Sequence, residues 1–268
     1  MQARPEREES MDRKKQIAAL AESDAERQTL IRACERIERA REQERPAATA
    51  FLSPREQALL KTLLPWCLFW GGTEEAERAV AYFVPEYMTR EELFDGGVIA
   101  CLRGSFYQEN ALSHRDVLGA LMGAGLRRDA VGDIYVREKC CEFFVLAELK
   151  QYLLDNLTAA GRHALKLTEL PPDAVRRPKQ EWKEQRVSVA SLRLDGVLAG
   201  VFRLSRSAAA DAIRAGLAAV NSMTCQKPDR AVEAGDELSL RGHGKAKILE
   251  LGGTTRRGRL SVRVGIYQ

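Results

Sequence analysis

Long apolar runs are missing from this 268-residue chain. The longest candidate, Leu63 to Trp70, is short and interrupted by Pro65, whereas a bilayer span needs roughly 20 apolar residues. The first ten residues are polar and mixed in charge, without the apolar stretch of a secretory signal. The expectation is a cytoplasmic protein with no membrane partner. Histidine is scarce, at three residues, and the six cysteines form no CxxC pair and no ligand spacing with His114, His163 or His243. Adjacent Cys140 and Cys141 would point to opposite faces of a strand. Reduced, mostly buried thiols are expected, with no metal and no cofactor. Gly71-Gly72 and Gly252-Gly253 fit neither phosphate-loop pattern, and neither HExxH nor GxSxG occurs. Aromatic residues make up only 6%. Tyr135, Phe143 and Phe144 are the candidates for base stacking, and core packing suits at least two of them better.

What the chain does have is unevenly placed charge. Residues 186–268 hold 14 Lys or Arg against 7 Asp or Glu, while the remainder holds 28 against 31. One end therefore carries the positive field expected opposite a polyanion.

Hydrophobic periodicity divides the chain. Ile17, Leu20, Leu30, Ile31, Cys34 and Ile37 recur at helical spacing between Asp12 and Arg45, with Ser23 or Asp24 as a cap and charges of both signs in near balance. Pro46 to Ala50 reads as a short linker. Ser53-Pro54 with Glu56 is a helix start carrying Leu59, Leu60, Leu63 and Leu64. Thr73 to Arg78 suggests one helical turn and Ala79 to Val84 a strand. From Val98 to Leu167 the order reads β-α-β-β-α-β, with strands near 98–102, 133–137, 141–146 and 162–167 and helices near 113–125 and 147–157. That order predicts a ferredoxin-like layer of helices on an antiparallel sheet. Prolines 171, 172 and 178 among basic residues mark a linker. The expected organisation is α+β: a helical segment at 1–50, a middle domain at 51–170, a linker at 171–185 and a C-terminal domain at 186–268.

The C-terminal stretch reads residue by residue. Val187 to Leu192 predicts a strand, Arg193 to Val201 and Arg206 to Ala215 short helices. Ser205 or Ser207 caps the second helix, and Gly216 ends it. Asn221-Ser222 makes a tight turn, Gly235-Asp236 another, and residues 260–267 alternate as a half-buried strand. Arg203, Arg206 and Arg214 lie on or beside the second helix, whose N-terminus suits phosphate. Residues 241–247 (Arg-Gly-His-Gly-Lys-Ala-Lys) and Arg256-Arg257-Gly258-Arg259 read as two basic loops, rich in the residue that forks onto phosphate.

Taken in order, Arg193-Leu194-Asp195, Leu204-Ser205-Arg206-Ser207-Ala208-Ala209, Ile213-Arg214-Ala215-Gly216, Ala219-Val220-Asn221 and Val232 with Gly235-Asp236-Glu237-Leu238 resemble the S4 RNA-binding motif. One departure is Ser222, where many S4 domains have glycine. Phe51-Leu52-Ser53-Pro54, Gly71-Gly72 with Ala76-Glu77-Arg78, the run Leu112-Ser113-His114-Arg115-Asp116-Val117-Leu118-Gly119-Ala120-Leu121-Met122, and Arg241-Gly242-His243-Gly244-Lys245 with Gly258-Arg259 resemble the YlmH family of bacterial S4 proteins. That resemblance implies a ferredoxin/RRM-like middle domain, a C-terminal S4 (αL-like) domain, and binding to ribosomal RNA of the large subunit in rescue of stalled nascent chains; transfer RNA is a further expected ligand. Family members have also been linked to cell division and to photosystem II.

Competing readings are an RNA-modifying enzyme and an adaptor linking RNA to protein partners. Arg193-Leu194-Asp195 resembles the catalytic sequence of pseudouridine synthases, but Leu192 stands where glycine is usual, so Asp195 is expected to cap or ion-pair. His114-Arg115-Asp116 cannot converge on one atom, because consecutive helical residues point about 100° apart. Ser113 and Asp116 are instead expected to cap their helix. The expected protein is a monomer, not an enzyme, that contacts structured RNA through Arg193, Arg203, Ser205, Arg206, Arg214, Asn221, Arg241, Lys245, Lys247, Arg256, Arg257 and Arg259, joined by His114 and Arg115.

Overall fold

A computed structural model of the chain describes residues 3–74, 76–95, 97–107, 112–171, 174–175, 178, 182–254 and 258–267. It is mixed α and β with helices at the N-terminus, and it divides into two compact units, Met1–Pro178 and Lys179–Gln268.

The first unit opens with helices α1 (Ala3–Leu20) and α2 (Asp24–Glu42). Ser23 caps α2 by accepting the Glu26 N–H, and Leu30, Ala33, Cys34, Ile37 and Ala40 form its buried stripe. Residues 46–50 are not a linker. β1 (Ala47–Leu52) pairs with β3 (Ala79–Phe83), which pairs in turn with β2 (Leu68–Trp70). Between β1 and β2, α3 (Pro54–Leu63) starts on a capping box of Ser53 and Glu56, with Pro54 at its first turn. The helix α4 (Arg90–Asp95) follows β3.

Next comes a sheet ordered β5 (Val131–Val136), β6 (Cys140–Leu146), β4 (Ile99–Ser105) and β9 (Lys166–Leu170), every neighbour antiparallel. Two βαβ units interleave to give that order, with α5 (His114–Gly123) and α6 (Lys150–Asn156) as the crossovers. A short hairpin, β7 (Ala159–Ala160) and β8 (His163–Ala164), precedes β9, so the last strand begins later than its apolar pattern suggests. Leu102, Phe143 and Val145 pack with Val117 and Leu121 of α5 and Leu153 of α6. The opposite face presents Ile99, Cys101, Tyr135 and Phe144 to Phe51, Val80 and Tyr82 of the first layer.

Polar staples fix the two layers of this unit. The buried Asp133 carboxylate accepts the Glu77 N–H at 2.8 Å, the Arg78 N–H at 3.0 Å and the Tyr135 hydroxyl at 3.1 Å. Those donations explain why Glu77 and Arg78 do not continue the expected helical turn: their N–H groups point across to another strand. Arg78 itself donates to the carbonyls of Val131 and Phe51, each at 3.0 Å, and burial lowers its pKa to about 10. Gly72, at φ +96°, lies flat on the Phe144 ring, where a Cβ has no room.

The second unit is a six-stranded sheet ordered β10 (Trp182–Val189), β15 (Leu260–Tyr267), β14 (Gly244–Thr254), β13 (Glu237–Leu240), β11 (Ala218–Val220) and β12 (Met223–Thr224). Helices α7 (Leu194–Phe202) and α8 (Arg206–Arg214) cover one face, with Val187, Val197, Leu198, Ile213, Ile248, Val262 and Val264 in the shared core. Strand β10 begins inside the expected linker, because Trp182 to Gln185 pair with Tyr267 to Val264 and the Trp182 ring rests on Gly265. Among the described residues, no helix is long and apolar enough to cross a membrane.

Replacing Gly72 with alanine adds both a strained φ and a clash with Phe144, so G72A is expected to lose about 2–4 kcal/mol of stability. Urea unfolding followed by far-UV circular dichroism measures it; an unchanged midpoint would show that this contact does not hold the layers.

Candidate nucleic-acid interface

The candidate site grows from one buried charge. Asp195 sits in the first turn of α7 with its side chain 6% exposed. Its carboxylate accepts from Arg193 Nε and Nη2 at 3.2 and 3.0 Å, from Arg206 Nε and Nη2 at 3.3 Å each, and from the Gly196 N–H at 2.7 Å. Burial alone pushes the Asp195 pKa up; the hydrogen bonds from Arg193, Arg206 and Gly196 outweigh it and hold the group below the ordinary aspartate value. The acid is therefore ionised at neutral pH. Two cations against one anion leave the cluster with one net positive charge. The arginine side chains are 41% and 55% exposed, so they keep donors facing solvent.

The link between α7 and α8 is short for a local reason. Arg203 takes the left-handed conformation at φ 56° to end α7, and Ser205 caps α8 by accepting the Ala208 N–H. The Ser205 hydroxyl is also within 3.0 Å of Ser207 Oγ, so it is engaged within the turn. Arg203, Arg206 and Arg214 are exposed. Arg214 makes an i,i+3 pair with exposed Asp211 at 2.8 Å, a contact of small worth that a phosphate can displace.

Arg259 donates to the Ser188 carbonyl at 2.7 Å and lines a cavity of about 310 Å³ together with Arg206, Gly196, Gly200 and Leu204. The exposed turn holding Arg241 sits by the C-terminal end of α7: the Phe202 and His243 rings lie 6.1 Å apart. Arg193, Arg203, Arg206 and Arg259 thus lie on or beside the two helices, and Arg241 opens the neighbouring turn that carries His243.

Several expected residues fall elsewhere. Lys245 and Lys247 are on strand β14, not in a loop. Their neighbours Ala246 and Ile248 are in the core beneath the helices, so the alternation of a strand sends both lysines to the opposite face of the sheet. Asn221 is a framework residue: at φ 51° it forms the β11–β12 turn with Ser222 at φ 65°, donates to Asp236 at 2.7 Å and accepts the Glu237 N–H at 2.9 Å. Arg256 and Arg257 lie outside the described residues. His114 and Arg115 are exposed in the first turn of α5, in the other unit. Asp116 caps that helix, accepting the Ser113 N–H at 3.0 Å and its hydroxyl at 2.6 Å, and the Ser113 bonds hold its pKa below the usual value.

Tyr135, Phe143 and Phe144 are all buried. All six cysteines are free, and burial pushes the Cys34 and Cys101 thiols up to about 12. Among the described residues, no group of three or more His, Cys, Asp or Glu is placed to hold a metal. One arrangement escaped the sequence reading: buried Glu142 of β6, held between Arg103 and Arg137. Its signal was a single acid inside the apolar run Cys140 to Leu146.

Because the folded pKa of Asp195 is depressed, its stabilisation is present above the unfolded aspartate value near 3.9 and is lost as pH falls through the folded one. D195N is expected to cost about 1–3 kcal/mol at pH 7, a gap that narrows below pH 4. Urea unfolding at both pH values checks this; a gap that stays constant would contradict the ion-pair role.

Comparison with known proteins places these features. Residues 107–174 match a family model described as "Putative RNA-binding domain in YlmH". The chain is 34% identical over 220 residues to the Ribosome-associated protein quality control protein P2 of Bacillus subtilis (strain 168), an alignment covering 81% of this chain and 85% of that protein. It is also similar to the solved structure of the cell division protein ylmH from Streptococcus pneumoniae, at 21% identity and a TM-score of 0.49, covering 59% of this chain and 98% of that one. With the expected motifs and a relative of this identity and coverage in agreement, the chain belongs to the YlmH family.

Proposed function

We propose that this protein is a non-enzymatic RNA-binding factor that docks on ribosomal RNA of the large subunit during quality control of stalled translation, with transfer RNA as a further ligand. In this reading the C-terminal unit is an S4 (αL-like) domain, the middle of the chain is a ferredoxin/RRM-like RNA-binding domain, and the protein acts as a cytoplasmic monomer. The observation that carries it is the Asp195 anchor, which presents Arg193 and Arg206 beside the helix link at Arg203 and beside Arg259, in a strongly basic unit whose next turn holds Arg241. Guanidinium groups held in fixed orientation lose little freedom when they fork onto phosphate. The family model and the quality-control relative from Bacillus subtilis supply the RNA and the ribosome as partners.

The same anchor argues against modification chemistry. A nucleophilic aspartate must reach its substrate, and both Asp195 oxygens already accept bonds from arginines in a nearly closed site.

Co-sedimentation of the full chain with isolated large ribosomal subunits across a salt series tests the proposal. The variant R203G/R214A/R241A leaves the Asp195 pairs intact and is expected to bind at least about 10-fold more weakly, with a salt slope shallower by about 2–3. Binding equal to the unaltered protein would remove this surface from the account. Incubation with tritium-labelled uridine RNA is expected to release no label above background; release would make the protein a modifying enzyme.

A further inference from the structure

The sheet of the first unit has two unlike halves on the face turned away from α5 and α6. One half is sealed by the N-terminal layer over Ile99, Cys101, Tyr135 and Phe144. The rest is open and polar. Register places Arg103 of β4 beside both Glu142 of β6 and Thr168 of β9, so those three share a row on that face. One row further on, Ser105 pairs with Lys166. Lys166 and Thr168 are exposed, and Arg137 leaves the end of β5 to reach Glu142 from the other side.

Glu142 is the organising charge. Its side chain is 2% exposed, and it accepts from Arg103 Nε at 3.1 Å and Arg137 Nε at 2.8 Å. Burial raises its pKa, and the bonds from Arg103 and Arg137 more than reverse the shift, so it is ionised. For stability alone an apolar residue would serve a central strand as well or better, because a buried ion pair recovers little beyond its desolvation cost. What the acid does achieve is geometric. It holds two arginine side chains, each more than a third exposed, side by side on the open half of the sheet. With Lys166 the open half carries three cations against one buried anion.

We infer that this open half-sheet is a second nucleic-acid contact, taking the phosphate backbone of RNA. Charge complementarity selects a polyanion, and the planar arginine fork suits phosphate oxygens. Tyr135 and Phe144 on this face are buried, so the cation row contacts the backbone, and that contact tolerates different sequences. Arg137, Glu142, Lys166 and Thr168 all fall within residues 107–174, which the proposed function treats as RNA-binding without naming a surface. The inference rests on that reading of the chain as an RNA-binding protein, and it locates the contact of the first unit.

The test measures affinity of the full chain for two fluorescein-labelled probes, an RNA hairpin and an oligouridylate, by anisotropy over a salt series. K166E/T168E changes only exposed positions and is expected to weaken both probes about 5- to 30-fold and to reduce the salt slope by about 1–2, with an unchanged melting curve. R103Q/R137Q/E142Q removes the cluster as a whole, leaves no unpaired buried charge, and is expected to give a loss of similar size. Unaltered binding by both variants, alongside weakened binding by R203G/R214A/R241A, would overturn this inference and leave the proposed function standing. The reverse pattern would uphold the half-sheet and refute the C-terminal surface. Failure of the unaltered protein to bind either probe would overturn both.

Discussion

A carboxylate taken out of water and returned to charge balance by two arginines is the constraint on which the binding surface depends. Asp195 would be costly to bury alone; Arg193, Arg206 and the Gly196 N–H together make it the stable ionised centre of the α7–α8 pair. The cost is met by hydrogen bonds that also freeze the directions of two long side chains. An arginine on a free surface must surrender rotamer entropy when it meets phosphate. Here that ordering is done by the fold. Glu142 repeats the arrangement on a strand instead of a helix, with Arg103 and Arg137 in the place of Arg193 and Arg206.

The same logic of satisfied polar groups explains the first unit. Asp133 and Arg78 collect the backbone donors and acceptors left over where the N-terminal layer meets the sheet, and Gly72 allows the chain to lie against Phe144. That covering layer consumes the aromatic face of the sheet. An RNA-recognition sheet that stacks bases needs its aromatics in solvent, and here Tyr135 and Phe144 are core instead. What the open half presents is a row of cations.

Much of this was legible where local chemistry decides structure. Ser53 with Glu56, Ser113 with Asp116, and Ser205 or Ser207 read as caps because a hydroxyl before an apolar repeat has few other uses; Ser53, Ser113 and Ser205 do cap their helices. Asn221-Ser222 was legible as a turn for the same reason. Long-range pairing was not. β1 hid in a segment read as a linker because its partner, β3, lies about 30 residues on. Trp182 to Gln185 joined a sheet only because the last strand extends far enough to pair with them. Lys245 and Lys247 were grouped with Arg241 by sequence proximity, and strand alternation then sent them to the other face. The acid partners Asp195 and Glu142 needed coordinates to reveal which arginines each one holds.

The central claim is that arginines fixed by buried carboxylates read the backbone of ribosomal RNA. Ultraviolet crosslinking of the full-length protein in cells, followed by sequencing of the attached RNA, tests it most directly. The account predicts a dominant, reproducible peak within large-subunit ribosomal RNA that shrinks in R193Q/D195N/R206Q, which removes the anchored arginines together with their buried charge. Crosslinks scattered over messenger RNAs without a ribosomal peak would contradict it.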